Sequence, residues 1–310
     1  MNLPEAIVDP AIAEIDFSRR FGGVARLYGD AALNRFRSAH VCVIGVGGVG
    51  SWIVEALARS AIGQITMIDL DNLAESNINR QIHALSATLG QAKVTALAER
   101  IAQINPTCRV NQIEDFIDAD NLDQMIGVRH YDFIVDAIDN VRAKTALIAY
   151  CRTHHLKLIT IGGAGGQTDP TKIEVRDLCR TEQEPLLAKV RKRLRSEHGF
   201  PRGTKNKFGI DAVFSTEPLR FPNVVSDDTV ANTDVNTDTN ADTNADTNAN
   251  TNANNSAGDE ASYNTAASAS SGVTGLNCAG FGSAVVVTAT FGLVAAAQVL
   301  NRLAAEVGSP

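Results

Sequence analysis

Short apolar runs along the first half of the chain alternate with segments in which apolar residues recur at helical spacing. Residues 40–45 (HVCVIG) and 64–69 (QITMID) are rich in β-branched side chains, and residues 131–138 and 156–161 repeat the pattern. Such runs are typical of parallel strands that are buried on both faces. Between the first two runs, residues 51–60 have the spacing of a helix. The pattern predicts an α/β fold in which helices flank a mostly parallel sheet.

Further helices are predicted on either side of this pattern. Residues 19–27 have helical spacing, and residues 87–104 place apolar side chains on one face before Asn105 and Pro106 end the helix. Residues 278–300 contain no charged side chain and are long enough to span a bilayer. Because they are rich in small residues and have few basic residues at their flanks, we expect a core helix rather than membrane association through residues 279–300.

A low-complexity segment interrupts the chain before this last helix. Residues 223–272 repeat Thr, Asn, Ala and Asp and have no apolar periodicity. Such a composition cannot bury enough surface to offset the entropy lost on ordering. We therefore predict a disordered insertion within one domain, of which residues 1–222 are the first part and residues 273–310 the C-terminal helical part.

A glycine-rich turn joins the first predicted strand to the helix that follows it. Its glycines are Gly45, Gly47, Gly48 and Gly50, and Asp69 ends the next strand. Glycine allows a tight turn and close approach of backbone N–H groups to phosphates, and an acid about twenty residues later suits a ribose hydroxyl. This Rossmann-like arrangement predicts a nucleotide-binding site.

The loop after Asp69 favours ATP over a nicotinamide dinucleotide. A nicotinamide site needs few groups beyond Asp69, whereas polar and charged residues here crowd into one loop and the next helix. They are Asp71, Asn77, Asn79, Arg80, Gln81 and Lys93. Two cations near a phosphate loop suit a triphosphate, because charge must be neutralised as pyrophosphate leaves. Asp136, Asp139 and Asn140 close another strand, where parallel sheets bind ligands.

These motifs together resemble the signature of the ubiquitin-activating-like adenylating enzymes. The signature consists of a glycine loop, two aspartates separated by one residue, an S-N-x-x-R-Q motif, a lysine on a helix and an Asp-Asn pair. Here it is present at residues 45–50, 69–71, 76–81, 93 and 139–140. The resemblance implies an adenylation domain that uses ATP and Mg²⁺.

Individual roles follow from the same resemblance. It implies that Gly48 lies under the phosphates and that Asp69 holds the ribose. Arg80 and Lys93 would stabilise the phosphates, and Asp139 would hold Mg²⁺ beside the α-phosphate. Asn140 and the remaining polar residues of the signature would complete the nucleotide site.

The N-terminal segment departs from the pattern of this superfamily. Relatives often carry an arginine that reaches the ATP of the partner subunit, but Gly23 stands in that position. Arg20 or Arg26 could replace it, or the helix at residues 19–27 could serve only to pack the homodimer that the resemblance implies. A sulfur-transfer partner of the cysteine desulfurase type is a further expectation.

The cysteines argue against a metal or disulfide framework. There are five of them, Cys42, Cys108, Cys151, Cys179 and Cys278, and none forms a C-x-x-C pair. We therefore expect no structural zinc. An odd number at wide spacing, without a recognisable signal segment, favours a reducing cytoplasm. Cys179 precedes Arg180, a basic neighbour that could lower its pKa, so it is a weak candidate nucleophile.

The distribution of charge changes the meaning of the net charge of −7. Eight of the 35 acidic residues lie between Asp227 and Glu260, so 28 basic residues face 27 acidic ones elsewhere. Basic residues then cluster with little opposition, at Lys189, Arg191, Lys192, Arg193, Arg195, Arg202, Lys205 and Lys207. Such a cluster is either a solvated helix face or a surface for RNA phosphates, and we favour RNA.

Further segments are similar to one branch of the same superfamily. These are residues 20–23, 26–29, 79–85, 148–152, 162–167 and 213–217. Members of this branch act on N6-threonylcarbamoyladenosine in tRNA. The resemblance implies that ATP adenylates the carboxylate of this base, that an internal nucleophile closes a ring, and that AMP is released. The alternatives are an activator of a ubiquitin-like sulfur-carrier protein, a nicotinamide-dependent dehydrogenase and a silent nucleotide-binding scaffold.

Overall fold

A computed structural model of the protein describes residues 16–221 and 281–308. Seven strands form a single sheet within these ranges. They are β1 (His40–Ile44), β2 (Gln64–Ile68), β3 (Arg109–Ile113), β4 (Phe133–Asp136), β5 (Leu158–Ile161), β6 (Ile173–Asp177) and β7 (Asp211–Ser215). The predicted strands are thus confirmed to within two residues at each end. The insertion predicted at residues 223–272 lies outside the described residues.

The sheet has the order β3-β2-β1-β4-β5-β7-β6, and all neighbouring strands are parallel except β6, which is antiparallel to β7. The chain starts at β1 in the middle, winds outward to β3, and then crosses back to β4 beside β1. A crevice forms outside the carboxyl ends of β1 and β4, because the connections leave them in opposite directions. The mostly parallel α/β fold expected from the sequence is confirmed.

Seven α-helices flank the sheet in the described part of the chain. They are α1 (Phe17–Tyr28), α2 (Asp30–Ser38), α3 (Gly50–Arg59), α4 (Lys93–Ile104), α5 (Val141–Thr153), α6 (Pro185–Glu197) and α7 (Val285–Ala305). Alternate residues of β1 supply two separate cores: Val41 and Val43 pack with α2, α3, α4 and α7, whereas Cys42 and Ile44 pack with α5 and α6. Both faces are covered, which explains the uninterrupted apolar strands.

The helix expected at residues 87–104 begins later than predicted, at Lys93. Gly90 has a φ of +82°, a left-handed conformation that interrupts a helix. Its N–H donates to the carbonyl of Leu73, and the N–H of Lys93 donates to the carbonyl of Asp71. The preceding residues therefore form turns that pair with the segment after β2. This pairing brings Lys93 beside the acids of that segment.

Helix α7 packs inside the protein. It is long and apolar enough to cross a membrane by composition alone, but one face is buried against α2, α3 and the sheet. A Cβ atom on Gly292 would lie 2.7 Å from the carbonyl oxygen of Val49 and 2.8 Å from Cβ of Trp52. The contact between α7 and α3 is therefore as close as glycine permits. Residues 278–280 of the apolar run lie outside the described ranges.

Candidate active site

The glycine loop follows β1 at the crevice between β1 and β4. Gly45 has a φ of +80°, and a Cβ atom there would lie 2.8 Å from the carbonyl oxygen of Ala137. Gly50 begins α3, and a Cβ atom on it would collide with the Gly45 carbonyl oxygen at 1.8 Å. Both positions require glycine for the turn itself. Gly47 and Gly48 line the cavity above the loop, where backbone N–H groups at a helix N-terminus favour anions.

Three charged side chains link this loop to the segment after β2. The carboxylate of Asp69 accepts a hydrogen bond from the Val46 N–H at 2.8 Å and another from the Asp71 N–H at 3.0 Å. Nζ of Lys93 lies 2.6 Å from Oδ2 of Asp71 and 3.8 Å from Oδ1 of Asp69. The Lys93 side chain is nearly buried, so these contacts fix its ammonium group at the cavity wall.

Arg80 lies directly over the glycine loop. A Cβ atom on Gly48 would come within 3.1 Å of Cδ of Arg80, so glycine leaves the space for the arginine stem. Nη1 of Arg80 donates to the Ser76 carbonyl at 2.7 Å and to Oδ1 of Asn79 at 2.9 Å. The Arg80 carbonyl in turn accepts a hydrogen bond from Nε1 of Trp52 on α3. These contacts hold the guanidinium group in place before any ligand binds.

The other polar residues of this loop differ in what they contact. Asn79 is not part of the cavity wall; it positions Arg80 and donates to the Ser283 carbonyl at 3.0 Å. Asn77 lines the cavity, but its Oδ1 accepts from the Ala74 N–H at 3.1 Å. Gln81 also lines the cavity, and its Oε1 is buried without a hydrogen-bond partner in residues 16–221 and 281–308.

Asp139 and Asn140 follow β4 on the opposite side of the crevice. Asn140 caps α5 by accepting hydrogen bonds from the N–H groups of Arg142 and Ala143. The Asp139 carboxylate is exposed to the cavity and has no ion-pair partner within the described ranges. It can therefore accept a cation. A single carboxylate beside phosphate oxygens suits Mg²⁺.

The predicted nucleotide residues converge on one cavity of about 1080 Å³. The predicted residues that line it are Gly45, Gly47, Gly48, Asp69, Asp71, Asn77, Arg80, Gln81, Lys93, Asp139 and Asn140. Only Gly50 and Asn79 of the predicted set lie outside its wall. Two cations thus face one unpaired carboxylate across a glycine loop, which is an arrangement suited to a nucleotide triphosphate and its metal.

A buried ion pair beneath the Asp139 turn has no counterpart in the sequence analysis. Nζ of Lys144 lies 2.8 Å from Oδ2 of Asp136, and both side chains are completely buried. Oδ2 of Asp136 also accepts from Oγ1 of Thr160 at 2.7 Å, and Oδ1 accepts from the Ile138 N–H at 3.1 Å. Asp136 therefore orients the turn between β4 and α5, and a lysine that the sequence did not point to neutralises its charge.

Glu184 joins the cavity to the basic helix α6. Its carboxylate accepts a hydrogen bond from the Gly163 N–H at 2.8 Å and caps α6 through the N–H groups of Leu186 and Leu187. Burial raises the pKa of Glu184. Gly162 and Gly163 line the cavity, so this side chain fixes one wall of the site. Sequence reasoning missed Glu184, although an acid directly before Pro185 is a usual start signal for a helix.

The basic cluster divides into three groups. Burial lowers the pKa of Arg191, which donates to Thr181, and Arg195 stacks on Phe208 and donates to the Pro201 carbonyl. These two arginines therefore serve contacts within the chain. Arg193 lines the cavity. The remaining members are exposed, and we call them the basic surface: Lys189, Lys192, Arg202, Lys205 and Lys207.

Two further expectations change with the structure. Cys179 is only 2% exposed, and burial raises its pKa with help from Asp177, so the expectation of a lowered pKa is wrong. A thiol in this state is not a nucleophile. Arg20 donates to the Ile104 carbonyl at 2.8 Å, at the C-terminus of α4 in its own chain. Arg26 is exposed and stays the candidate for a contact with a partner subunit.

Known proteins resemble this chain over almost its whole length. It is 46% identical to tRNA threonylcarbamoyladenosine dehydratase of Haemophilus influenzae, over 94% of this chain and 96% of that one. It is 48% identical to the enzyme of the same name from Escherichia coli, over 93% and 94%. The crystal structure of E. coli tRNA N6-threonylcarbamoyladenosine dehydratase in complex with ATP matches with a TM-score of 0.73 at 45% identity, over 93% and 95%.

The family assignment rests on a separate comparison. The sequence model of the ThiF family matches residues 18–309, which include the glycine loop, the Arg80 loop, Asp139 and α7. The superfamily resemblance carried by these motifs is thereby confirmed. The chain belongs to the ThiF family.

Proposed function

We propose that the protein uses ATP to adenylate the carboxylate of N6-threonylcarbamoyladenosine in tRNA and thereby drives its dehydration to a cyclic product. The observation that carries this proposal is the convergence of the glycine loop, Arg80, Lys93 and Asp139 on one cavity. The relatives with this activity in their names cover more than nine tenths of the chain, which supports the choice of substrate.

The residues of the cavity suit the charges of the first step. A carboxylate oxygen attacks the α-phosphorus of ATP, the bond to the β-phosphate oxygen breaks, and pyrophosphate leaves. Arg80 and Lys93 are held in advance by their own hydrogen bonds and ion pairs. Preorganised cations stabilise developing charge without reorganising during the reaction. We assign to them the neutralisation of the phosphates, with Asp69 at the ribose.

Asp139 provides the metal ligand in this proposal. Bound Mg²⁺ would neutralise phosphate charge beside the α-phosphate, and the exposed Asp139 carboxylate is of the type that Mg²⁺ binds. Asn140 keeps Asp139 at the end of β4 by capping α5. The backbone N–H groups of the glycine loop complete the phosphate site.

The second step needs no enzyme nucleophile. Adenylation replaces a poor leaving group with AMP. A nucleophile of the same modified base then attacks the activated carbonyl carbon, and AMP leaves with the carboxylate oxygen. Because both groups belong to one molecule, ring closure benefits from a high effective concentration. The buried and protonated state of Cys179 is compatible with such a mechanism.

The exposed basic surface is the proposed site for the body of the tRNA. Lys189, Lys192, Lys205 and Lys207 project from α6 and the loop after it, and Arg193 lies at the cavity edge. We also propose a cytoplasmic homodimer in which α1, with Leu27 73% exposed, contacts the partner. A sulfur-transfer partner of the cysteine desulfurase type stays a prediction from the family resemblance.

Mass spectrometry of tRNA tests the activity directly. Incubation of tRNA that carries threonylcarbamoyladenosine with the protein, ATP and Mg²⁺ should remove one water from the modified base and release pyrophosphate. Arg80→Ala and Asp139→Ala should each abolish turnover while leaving the melting temperature nearly unchanged, since neither side chain is buried.

Two results would contradict the proposal. Near-normal rates in both variants would show that the site is wrongly assigned. Pyrophosphate release with the C-terminal glycine of a ubiquitin-like protein, but not with tRNA, would favour the sulfur-carrier alternative.

A further inference from the structure

The cavity extends well beyond the residues assigned to ATP. A site for one small ligand typically measures about 300–1,000 Å³, and this cavity measures about 1080 Å³. Most of the nucleotide residues follow β1 and β2, and Asp139 and Asn140 follow β4. We call the part of the cavity lined by α5, α6 and the turn after β5 its second half. It is lined by Arg142, Gly162, Gly163, Arg193, Glu197 and His198. A second substrate has room there.

Arg193 is oriented by Glu197 in this second half. Its Nε and Nη2 donate to the two carboxylate oxygens of Glu197, both at 2.9 Å. A bidentate contact of this kind fixes the plane of the guanidinium group. The Arg193 side chain nevertheless stays 34% exposed, so part of the group faces solvent at the cavity mouth.

Arg142 belongs to the same group of charges. It lies in the first turn of α5, after the Asn140 cap, and lines the cavity. The hydrogen bond from Arg193 lowers the pKa of Glu197, and the charges of His198 and Arg142 act in the same direction. The four side chains therefore interact electrostatically, and all of them line the cavity. Within this group two guanidinium groups stand against one carboxylate, so the group carries net positive charge; Asp115, Asp118 and Asp120 also line the cavity.

The position of this charge indicates which anion it meets. The reacting carboxylate must reach the α-phosphate at the glycine loop, so it lies in the first half of the cavity. The sugar-phosphate backbone of the same nucleotide then remains on the α5 and α6 side. Proteins read single-stranded RNA loops by splaying a base into a pocket and binding the adjacent backbone. Exposed arginines at the mouth suit phosphates of this kind.

We propose that Arg142 and Arg193 bind the RNA phosphates that flank the modified adenosine, and that Glu197 positions Arg193. The base enters between Gly162 and α6, and the basic surface outside the cavity contacts more distant parts of the tRNA. This inference rests on the proposed function. It adds a phosphate site at the cavity mouth that is separate from the phosphate site for ATP.

The test uses a trinucleotide with threonylcarbamoyladenosine in the middle and the free modified nucleoside, which lacks phosphates. Arg142→Gln and Arg193→Gln should each weaken trinucleotide binding by about tenfold, because a charged hydrogen bond is lost. The slope of log affinity against log salt should fall by about 0.7 for each phosphate contact removed. Affinity for the nucleoside and for ATP should stay as in the wild type.

Arg129→Gln is the matched control. Arg129 is exposed and precedes β4, at the edge of the sheet opposite the cavity, so the same change of charge there should leave trinucleotide binding unaltered. The inference is overturned if the arginine variants bind the trinucleotide as tightly as the wild type, if Arg129→Gln weakens it equally, or if the wild type does not bind it. Failure of the proposed function is distinct, because the wild type would then not dehydrate modified tRNA.

Discussion

Lys144 carries a charged amine inside the protein, at the carboxyl end of β4. Its ion pair with Asp136 is completely buried and supports the turn that presents Asp139. Removing one partner of such a pair leaves an uncompensated charge, which typically costs about 3–5 kcal/mol. We expect Lys144→Met to lower the free energy of unfolding by about this amount, as measured by urea denaturation.

A double variant distinguishes the lost charge from lost packing. Lys144→Met combined with Asp136→Leu removes both charges and should be more stable than Lys144→Met alone. A double variant that is less stable than the single variant would show that the individual contacts of Asp136, such as that with Thr160, matter more than the pairing of charge.

His83 is a second buried titratable residue, in the segment between Arg80 and α4. It is 2% exposed, and neither ring nitrogen has a hydrogen-bond partner among residues 16–221 and 281–308. Burial, followed by the charges of Lys93 and Arg100, lowers its pKa to about 4. The unfolded chain therefore binds a proton below its ordinary pKa of about 6.5, whereas the folded protein resists protonation until about pH 4.

Because the pKa of His83 is lower in the folded protein than in the unfolded chain, stability should depend on pH in one direction. Stability is lost as the pH falls from about 6.5 towards 4, because the unfolded state binds more protons in that window. The contribution of His83 to the loss between pH 7 and pH 5 is about 2 kcal/mol. The difference in unfolding free energy between wild type and His83→Gln should shift by that amount. Parallel pH curves for the two proteins would contradict a neutral buried imidazole.

The site residues that could be predicted from the sequence are those that belong to a short sequence motif. Arg80 and Lys93 belong to ordered spacings that a sequence displays directly, and both line the cavity. Lys144 could not be found in this way. Its partner lies eight residues earlier, at the end of a strand, and the contact exists only because α5 folds back over β4. Charge alone predicts exposure for such a lysine.

Among the elements, the strands could be predicted from local sequence, whereas the start of one helix depends on tertiary contacts. The apolar runs predicted β1, β2, β4 and β5 because strands buried on both faces need continuous apolar residues. The start of α4 was predicted too early, because residues 87–92 have the composition of a helix. Gly90 and the pairing of this segment with Leu73 override that preference. Tertiary contacts thus decide where a helix with a weak start signal begins.

The contact between α7 and α3 can be tested at Gly292. Its absent side chain allows the Val49 carbonyl, Trp52 and the backbone of Ile53 to approach. Gly292→Ala should therefore destabilise the protein by about 1–3 kcal/mol, although alanine is the better helix former. The free energy of unfolding in urea measures the effect.

Leu293 offers a control on the same helix. It is 48% exposed, so Leu293→Ala should change stability by less than Gly292→Ala. If α7 instead left the core for a membrane, Gly292→Ala would stabilise the helix and the soluble protein would not be weakened.

At the scale of the whole molecule, the residues of the proposed site lie at one edge of the sheet, at the carboxyl ends of the strands. The reversal of strand order between β1 and β4 opens the crevice, and α3 and α5 direct their N-termini towards it from opposite faces. Helix α6 extends from its cap Glu184, which contacts Gly163 of the cavity wall, to Glu197 at the cavity mouth. The fold therefore connects the proposed ATP site with the proposed RNA surface through a single helix.

The described residues on either side of residues 222–280 contact one another. The rings of Phe221 and Phe281 have centroids 5.3 Å apart. Gly166 accepts a hydrogen bond from the Arg220 N–H at 2.8 Å and donates to the Gly282 carbonyl at 3.0 Å. The junctions are thus held by contacts that do not involve residues 223–272. A short connection can replace that segment without moving the elements on either side.

Deletion of residues 223–272 should leave folding and dehydration intact. Closing a shorter connection costs less free energy, by about 0.6 kcal/mol for each halving of its length, so stability should rise slightly. The deletion also removes eight acids and no basic residue, which changes the net charge from −7 to +1. The KM for tRNA should therefore fall at low salt and converge with that of the wild type at high salt, because exposed charges are screened.

Replacing the same eight acids with Asn or Gln in the full-length chain separates the effect of charge from that of length, and it should reproduce the change in KM. A deletion variant that fails to fold, or that folds and cannot dehydrate tRNA, would show that the segment is required.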